Sequence, residues 1–161
     1  MNYLFFGLGS IGQRHLRNLL HLDKKAKIFA VRKKYKSPLL DNNNNKINGS
    51  ILKKYNIKNV NNLKFIKKKE TRIDAAFICT PSSLHVKQAS WCIKNDINIF
   101  IEKPVATNIK DLVKIKRLIK KKPKLINLVG YQLRFNPLIN YIKNFCFDKK
   151  KLGEINNCEI F

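Results

Sequence analysis

Residues 3–20 have the sequence YLFFGLGSIGQRHLRNLL, and this stretch decides the fold. An apolar run leads into Gly7-Leu8-Gly9-Ser10-Ile11-Gly12, and an amphipathic segment follows. The apolar run predicts a buried strand over residues 2–6, and the amphipathic segment predicts a helix from Ser10 to about Leu22. The glycines therefore lie at the junction of a strand and a helix.

This G-x-G-x-x-G pattern, placed between a strand and a helix, is typical of a dinucleotide-binding loop. Gly7 permits a tight turn, Gly9 leaves room for a pyrophosphate against the backbone, and Gly12 allows close packing of helix and strand. The helix N-terminus, at Ser10 and Ile11, then offers its N–H groups to the phosphates. An ordinary glycine-rich turn without a ligand is the alternative, and the β-α-β context favours the cofactor.

The residue that follows the second strand bears on which cofactor is bound. That strand is predicted over residues 27–31, and a carboxylate at its end would hold the 2′-hydroxyl of NAD. The sequence has Arg32, Lys33 and Lys34 there instead. A guanidinium can hold a 2′-phosphate bidentately, so the sequence favours NADP over NAD. A general excess of lysine is the other explanation.

The rest of the chain alternates strands with helices. Further strands are predicted over residues 74–79, 97–101 and 125–130, with a short one near 57–60 and a last one over 154–161. Helices are predicted from Ser82 or Ser83 to about Lys94, from Thr107 or Asn108 to about Pro123, and from Pro137, with a short helix and a Lys-rich helix within residues 51–70. Residues 33–50 are predicted to form a loop. This alternation predicts an α/β fold with a doubly wound, mostly parallel sheet, a Rossmann fold.

Composition narrows the class of protein. The chain has 161 residues, 44% of them apolar, which is enough for a packed core. Its four cysteines form no C-x-x-C pair and no metal-ligand spacing, so we expect free thiols in a reducing compartment and no metal. No apolar run is long enough to span a bilayer, and no signal-peptide pattern follows Met1. We therefore expect a cytoplasmic protein that does not bind membranes.

The net charge is +24, from 34 Lys and Arg against 10 Asp and Glu. Such an excess is compatible with a polyanion partner. The lysines lie in tracts such as 67–69, 120–122 and 149–151, however, and aromatic residues do not interleave with them as a base-stacking surface requires. We interpret the charge as solvated surface and expect no specific nucleic-acid partner.

Three further segments carry a family resemblance. They are ICTPSSLH at residues 78–85, FIEKPVA at 100–106 and VGYQLRFNP at 129–137. Together with the glycine-rich segment, their order and spacing resemble the Gfo/Idh/MocA oxidoreductases, especially members that act on sugars in surface-polysaccharide pathways. The resemblance covers essentially the whole chain, and it implies hydride transfer between a nicotinamide and a sugar hydroxyl or carbonyl.

The resemblance also implies roles for individual residues. Thr80 and Pro81 would line the cofactor, with His85 near it. Glu102 would fix the nicotinamide side of the site, and Lys103 would point toward nicotinamide and substrate as the catalytic residue. A lysine at a strand end can orient a hydroxyl or, when desolvated, exchange protons. In isolation, Glu102 and Lys103 would suggest only a surface ion pair.

The third segment would face the substrate. There the resemblance makes Tyr131, Gln132 and Arg134 candidates to contact cofactor or sugar. Pro104 would shape the turn after Lys103. By contrast, we interpret His15 and His21, on the first helix, as ordinary surface or groove histidines.

The resemblance implies a second domain, with a mostly antiparallel sheet, that supplies much of the sugar pocket, the usual catalytic histidine and the oligomer interface. We expect residues 1–130 to form the Rossmann domain and residues 131–161 to form a connecting helix and the first strand of that second, α+β domain. The sequence ends at Phe161, which is compatible with a gene fragment, half of a split enzyme or a stand-alone domain; we favour the fragment.

The expected function is therefore the NAD(P)-binding domain of a sugar oxidoreductase, with little or no turnover by itself and a possible homo-oligomer in the full-length form. A non-catalytic nucleotide-binding or interaction module is an alternative, and a basic polyanion-binding protein is a weaker one.

Overall fold

A computed structural model of the chain describes residues 1–32, 37–60, 63, 66 and 71–148. The predicted strand over residues 154–161 and most of the Lys-rich helix before residue 71 lie outside the described residues, as do Lys33 and Lys34. The chain divides into two compact units, Met1–Gly130 and Tyr131–Phe161. Each unit is described by itself.

The first unit begins as predicted, with a β-α-β arrangement. Strand β1 spans Asn2–Phe6, helix α1 spans Ser10–Leu22 and strand β2 spans Lys27–Val31. The strands are short apolar segments, and α1 keeps one apolar face that includes the fully buried Leu16. The glycine-rich loop therefore leads directly from the end of β1 into the first turn of α1.

The remaining elements of this unit follow in chain order. They are β3 (Leu39–Leu40), β4 (Lys46–Ile47), α2 (Ile51–Lys54), β5 (Lys58–Asn59), β6 (Ala75–Ile78), α3 (His85–Lys94), β7 (Asn98–Ile101), α4 (Ile109–Lys120) and β8 (Asn127–Val129).

The main sheet has six parallel strands in the order β5-β2-β1-β6-β7-β8. The doubly wound α/β prediction is thereby confirmed, because this is the strand order of a Rossmann fold. Phe6 pairs with Val31 on one side and with Ile78 on the other, and Ile101 pairs with Ile78 and Val129. The carboxyl ends of these five strands therefore lie level along one edge of the sheet.

A hydrophobic core covers each face of this sheet. One cluster contains Leu4, Phe6 and Ile78 together with residues of α3 and α4. The other contains Phe5 and Leu8 together with residues of α1 and α2. Successive residues of β1 thus alternate between two buried faces, which is why its sequence is apolar throughout.

Two local predictions were wrong. Residues 33–50 were expected to form only a loop, but β3 and β4 pair as a short antiparallel hairpin. Asp41 holds its turn, since the carboxylate accepts the N–H groups of Asn43 and Asn45, each at 2.8 Å. These hydrogen bonds, chiefly those from Asn45, lower the pKa of Asp41. Strands of two residues are too short to show an alternating pattern.

The second error concerns the start of α3. Ser82 or Ser83 was expected to cap this helix, but a 3₁₀ turn occupies Ser82–Leu84, and α3 begins at His85 without a side-chain cap. At α4 Thr107 or Asn108 was the predicted cap, and the structure selects Asn108, whose side chain accepts the N–H of Asp111 at 2.9 Å.

The second unit is helical over its described residues. A 3₁₀ turn spans Gln132–Phe135, helix α5 spans Pro137–Lys143, and a π-helical turn follows at Asn144–Asp148. Asn136 caps α5, accepting the N–H of Leu138 at 2.9 Å, and Pro137 opens the helix as predicted. Several large apolar side chains of this unit are exposed, namely Leu133, Phe135, Leu138 and Tyr141.

Candidate cofactor-binding site

The strand order places a crevice at the carboxyl edge of the sheet, between β1 and β6. From β1 the chain first crosses to β2 on one side, and it later returns to β6 on the other side. Ligands of open α/β sheets bind at such a switch point, outside the carboxyl ends of the strands. The glycine-rich loop follows β1 at this point, and residues 79–84 follow β6 beside it.

Two of the three glycines are required by packing. Gly7 has a φ of +86°, and a Cβ there would lie 2.8 Å from the carbonyl oxygen of Cys79. A Cβ on Gly12 would lie only 2.4 Å from the carbonyl oxygen of Gly7. Both positions therefore exclude any side chain, which keeps β1, the loop and α1 in close contact.

Gly9 is different because a Cβ there would meet nothing within 4 Å. The residue precedes α1, whose first turn has no side-chain cap, and Gly9, Ser10 and Ile11 are exposed. The first backbone N–H groups of a helix have no acceptor within the helix. This arrangement fits a diphosphate, which would fill the space above Gly9 and accept these N–H groups.

Arg32 follows the last residue of β2 and is half-buried. Since β2 is the neighbour of β1, this position is beside the glycine-rich loop, where the adenosine ribose lies in Rossmann folds. No acidic residue occurs among residues 27–32.

Residues after β6 form a hydrogen-bonded loop. The Thr80 hydroxyl donates to Oε1 of Gln88 at 2.6 Å. His85 is only 1% exposed, with its Nε2 2.7 Å from the carbonyl oxygen of Thr80 and its Nδ1 2.8 Å from that of Pro104. The ring of His85 thus links the loop after β6 to the loop after β7, while Pro81 is exposed.

Glu102 follows β7 and is held by a residue that sequence reasoning missed. Oε1 of Glu102 lies 2.7 Å from Nε2 of His15, and both side chains are mostly buried, with exposed fractions of 14% and 20%. The ring of His15 also packs edge-on against Phe100, with the ring centroids 4.7 Å apart. A Cβ on Gly130 would lie 3.0 Å from Oε1, so the carboxylate fills the space that this glycine leaves.

The interpretation of His15 as an ordinary surface or groove histidine was therefore wrong. His15 lies three residues after Gly12, and its partner is 87 residues away in sequence. Only its spacing from Gly12 could have indicated this position, because residues three apart lie on the same face of a helix and Gly12 faces the sheet.

Lys103 and Pro104 are exposed, and the peptide bond between them is cis. The N–H of Lys103 lies 3.3 Å from Oε2 of Glu102. Glu102 therefore contacts α1 through one oxygen and the backbone of the next residue through the other. This places Lys103 at the same edge of the sheet as the glycine-rich loop.

The three candidates from the resemblance in the second unit are all exposed. Tyr131, Gln132 and Arg134 lie at or in the 3₁₀ turn before α5. The guanidinium of Arg134 lies over the ring of Tyr131, 5.8 Å from its centroid. Their predicted contacts with cofactor or sugar stay predictions.

The described residues contain neither a membrane-spanning helix nor a cluster of metal ligands. None of the helices there is long and apolar enough to cross a membrane. Within the same residues, no three His, Cys, Asp or Glu side chains come together as metal ligands.

Fold and site together define a dinucleotide-binding Rossmann domain. The profile of the Gfo/Idh/MocA oxidoreductase family, described as an NAD-binding Rossmann fold, matches residues 1–131, and the chain belongs to this family. The cofactor class is thus a nicotinamide dinucleotide.

A curated relative is 4-carboxy-2-hydroxymuconate-6-semialdehyde dehydrogenase of Sphingobium sp., 24% identical over 144 residues, which are 89% of this chain and 42% of the relative. Among solved structures, myo-inositol 2-dehydrogenase of Lactobacillus plantarum has a TM-score of 0.75 at 24% identity, with 96% of this chain and 43% of that one covered.

Two further structures contain ligands. Scyllo-inositol dehydrogenase of Lactobacillus casei, with NAD(H) and scyllo-inositol, has a TM-score of 0.75 at 22% identity, covering 96% of this chain and 43% of that one. The WlbA dehydrogenase of Chromobacterium violaceum, with NADH and UDP-GlcNAcA, has a TM-score of 0.73 at 22% identity, covering 95% and 41%. These likenesses show a shared fold, and the chain spans less than half the length of each of these four proteins.

Proposed function

We propose that this chain is the cofactor-binding part of an oxidoreductase that acts on a sugar or sugar derivative. One observation carries the proposal: the uncapped, glycine-lined start of α1 is joined through His15 and Glu102 to the loop that bears Lys103. A dinucleotide whose diphosphate lies above Gly9 would extend along the carboxyl edge of the sheet toward that loop.

The diphosphate would be held by backbone groups rather than by side chains. The space above Gly9 admits phosphate oxygens, and the N–H groups of Ser10 and Ile11 are the donors nearest to it along the chain. Thr80 and Pro81 border the same crevice from the end of β6. Because the two ring nitrogens of His85 face protein carbonyls, we assign His85 to support of the two loops rather than to direct cofactor contact.

The adenosine end would be read by Arg32, and we infer a preference for NADP. Its guanidinium can form charge-assisted hydrogen bonds to a 2′-phosphate, and no carboxylate precedes it on β2 to repel that phosphate. We expect NADP to bind about tenfold more tightly than NAD, which corresponds to one charged hydrogen bond of about 1.4 kcal/mol.

At the other end, a bound nicotinamide would supply the hydride acceptor or donor. Lys103 would contact the reacting hydroxyl or carbonyl of the substrate and orient it, and Glu102 would fix the loop that carries Lys103. The proposed substrate class is supported by the inositol and UDP-sugar ligands of the two structural neighbours. Tyr131, Gln132 and Arg134 remain candidates for the same substrate.

We also propose that residues 131–161 begin a second domain. The exposed apolar side chains of the second unit, among them Phe135 and Leu138, support this, since such groups are usually covered in a complete protein. By itself the 161-residue chain should then bind cofactor with little or no turnover. Robust sugar-dependent formation of NADPH by this chain would overturn that part of the proposal.

Titration calorimetry tests the central part, with NADP and NAD as ligands of the wild-type chain and of Gly9→Ala. In the free protein the added methyl group contacts nothing, so the thermal unfolding midpoint should not change. In the complex the same methyl group would occupy the place of the diphosphate, so dinucleotide binding should be lost. Asn18→Ala, on an exposed turn of the same helix, is the control and should bind as the wild type does. Failure of both dinucleotides to bind the wild type, or undiminished binding by Gly9→Ala, would refute the proposal.

A further inference from the structure

Gln13 is a polar residue of α1 whose side chain is completely buried, with an exposed fraction of 0%. Its Nε2 donates to the carbonyl oxygens of Leu8, at 3.0 Å, and Pro38, at 2.8 Å. Its Oε1 accepts the N–H of Leu40 at 2.9 Å. Two carbonyls and one N–H surround the amide, so its orientation is fixed by its partners, and both amide hydrogens are used.

These hydrogen bonds join three parts of the chain. Leu8 lies in the glycine-rich loop, Gln13 lies in the first turns of α1, and Pro38 and Leu40 lie in the segment that follows β2. Arg17, one turn further along α1, makes a longer contact from its Nη1 to the carbonyl oxygen of Leu40, at 3.4 Å. The segment after β2 is therefore attached to α1 at two successive turns.

The attachment bears on the ribose region. The chain leaves the sheet at Arg32 and is fixed again at Pro38, and a stretch of six residues spans at most about 20 Å. One end is held by the pairing of β2 with β1, and the other end by Gln13. The position of residues 38–40 relative to the glycine-rich loop is thus fixed chiefly by the buried amide of Gln13, with the longer Arg17 contact beside it.

We propose that Gln13 is a positioning residue for the adenosine half of the cofactor and helps to set the selectivity for the ribose 2′-substituent. The inference rests on the proposed function, because it assumes that a dinucleotide lies along this crevice. Gln13 contacts no ligand itself. It acts through the backbone of Leu8 on the diphosphate side and through residues 38–40 on the ribose side.

A purely structural role makes a different prediction. A buried amide that only stabilises the loop would affect unfolding, while the folded molecules would keep the same relative affinity for two ligands that differ at the 2′-position. A positioning role changes that ratio, because the room for a 2′-phosphate beside Arg32 depends on how far residues 38–40 lie from the diphosphate site.

The test uses ADP-ribose and 2′-phospho-ADP-ribose, titrated into the wild-type chain, Gln13→Met and Arg17→Met. Methionine has nearly the volume of glutamine but no hydrogen-bonding amide. The measured quantity is the dissociation constant of ADP-ribose divided by that of 2′-phospho-ADP-ribose. Gln13→Met should lower this ratio about tenfold, toward unity. Arg17→Met, which removes only the longer contact, should lower it about twofold. Asn18→Met, on the exposed side of α1, should leave the ratio unchanged.

Circular dichroism confirms folding of each variant before titration. If Gln13→Met does not fold, Arg17→Met decides, since it removes only the longer contact at half-buried Arg17. Folded variants with the wild-type ratio would overturn the inference and leave the proposed function intact. Failure of both ligands to bind the wild type would instead overturn the proposed function, and this inference with it.

Discussion

The two sides of the crevice are built in different ways. The glycine-rich side, residues 7–12, presents mainly backbone to the crevice. Its close packing is possible only because Gly7 and Gly12 have no side chain, since a Cβ on either residue would collide with a carbonyl oxygen. The opposite side, at the ends of β6 and β7, depends on side chains that are present. There His85 links two loops, and Glu102 reaches across to His15.

The difference predicts opposite sensitivities. An added atom damages the glycine-rich side because closely packed backbone cannot move aside. A removed atom damages the other side because buried polar groups are left without partners. Substitutions on each side can therefore confirm or break this contrast.

The largest effect is expected at Gly12. In Gly12→Ala the new methyl carbon would lie 2.4 Å from the carbonyl oxygen of Gly7. Because this is far too close, β1 and α1 must move apart. We expect a loss of about 3 kcal/mol in the free energy of unfolding, the upper end of the usual overpacking range. Urea titration followed by circular dichroism measures it.

Gly9→Ala is the matched control for this experiment, since its methyl group meets nothing within 4 Å. Its free energy of unfolding should stay within about 0.5 kcal/mol of the wild-type value. Equal destabilisation by the two substitutions would show that the loop is not packed as described.

A smaller effect is expected at His85. His85→Ala removes a buried ring and leaves the carbonyl oxygens of Thr80 and Pro104 without this partner, so the unfolding free energy should fall by about 2 kcal/mol. Thermal and urea unfolding measure the change. His21→Ala, at the exposed end of α1, should leave stability nearly unchanged, and a His85→Ala variant as stable as His21→Ala would contradict the role of His85.

This contrast also explains what the sequence could predict. The bounds of β1, α1 and β2 and the glycine-rich loop follow from local patterns, an apolar strand and glycines at fixed spacing. The cap at Asn108 is equally local. The sequence-level resemblance placed Glu102 and Lys103 after a strand, and the sheet register puts that strand end level with the end of β1.

Long-range pairs could not be predicted in this way. His15 and Glu102 are 87 residues apart, and no local pattern shows that one binds the other. Gln13 occupies a polar position in an amphipathic helix, and its burial depends on residues 38–40 covering it. The hairpin of β3 and β4 belongs to the same segment and was missed for the related reason that its strands are too short for a periodic signal.

The pair of His15 and Glu102 should show measurable coupling. Unfolding free energies of His15→Ala, Glu102→Ala and the double variant form a double-mutant cycle. Because both side chains are mostly buried, we expect a coupling free energy of about 1 kcal/mol.

The exposed pair of Lys122 and Asp96 provides the comparison, and its own cycle should give a coupling of about 0.3 kcal/mol or less. Equal coupling in the two cycles would mean that the bridge between α1 and the end of β7 stabilises the fold no more than a surface ion pair does.

Among the substitutions, the smallest effect is expected on the thiol of Cys79, which follows β6 and faces the glycine-rich loop. Burial raises the pKa of its thiol to about 12, and the negative charge of Glu102 contributes in the same direction. Glu102→Gln removes that charge, which favours the thiolate, so the pKa of Cys79 should fall but stay well above 9 because burial is the larger cause.

Absorbance of the thiolate and alkylation followed by mass spectrometry measure this change. Cys92 is the internal control, because burial raises its pKa to about 12 without a contribution from Glu102, and it should not respond to the substitution.

Both thiols keep their protons in the folded chain at pH values where the unfolded chain, with pKa values near 9.0, has lost them. Stability should therefore fall as the pH rises from about 9 toward 12. Alkylation of Cys79 at pH 8 as fast as in the unfolded chain would show that the thiol is not shielded between the glycine-rich loop and Glu102.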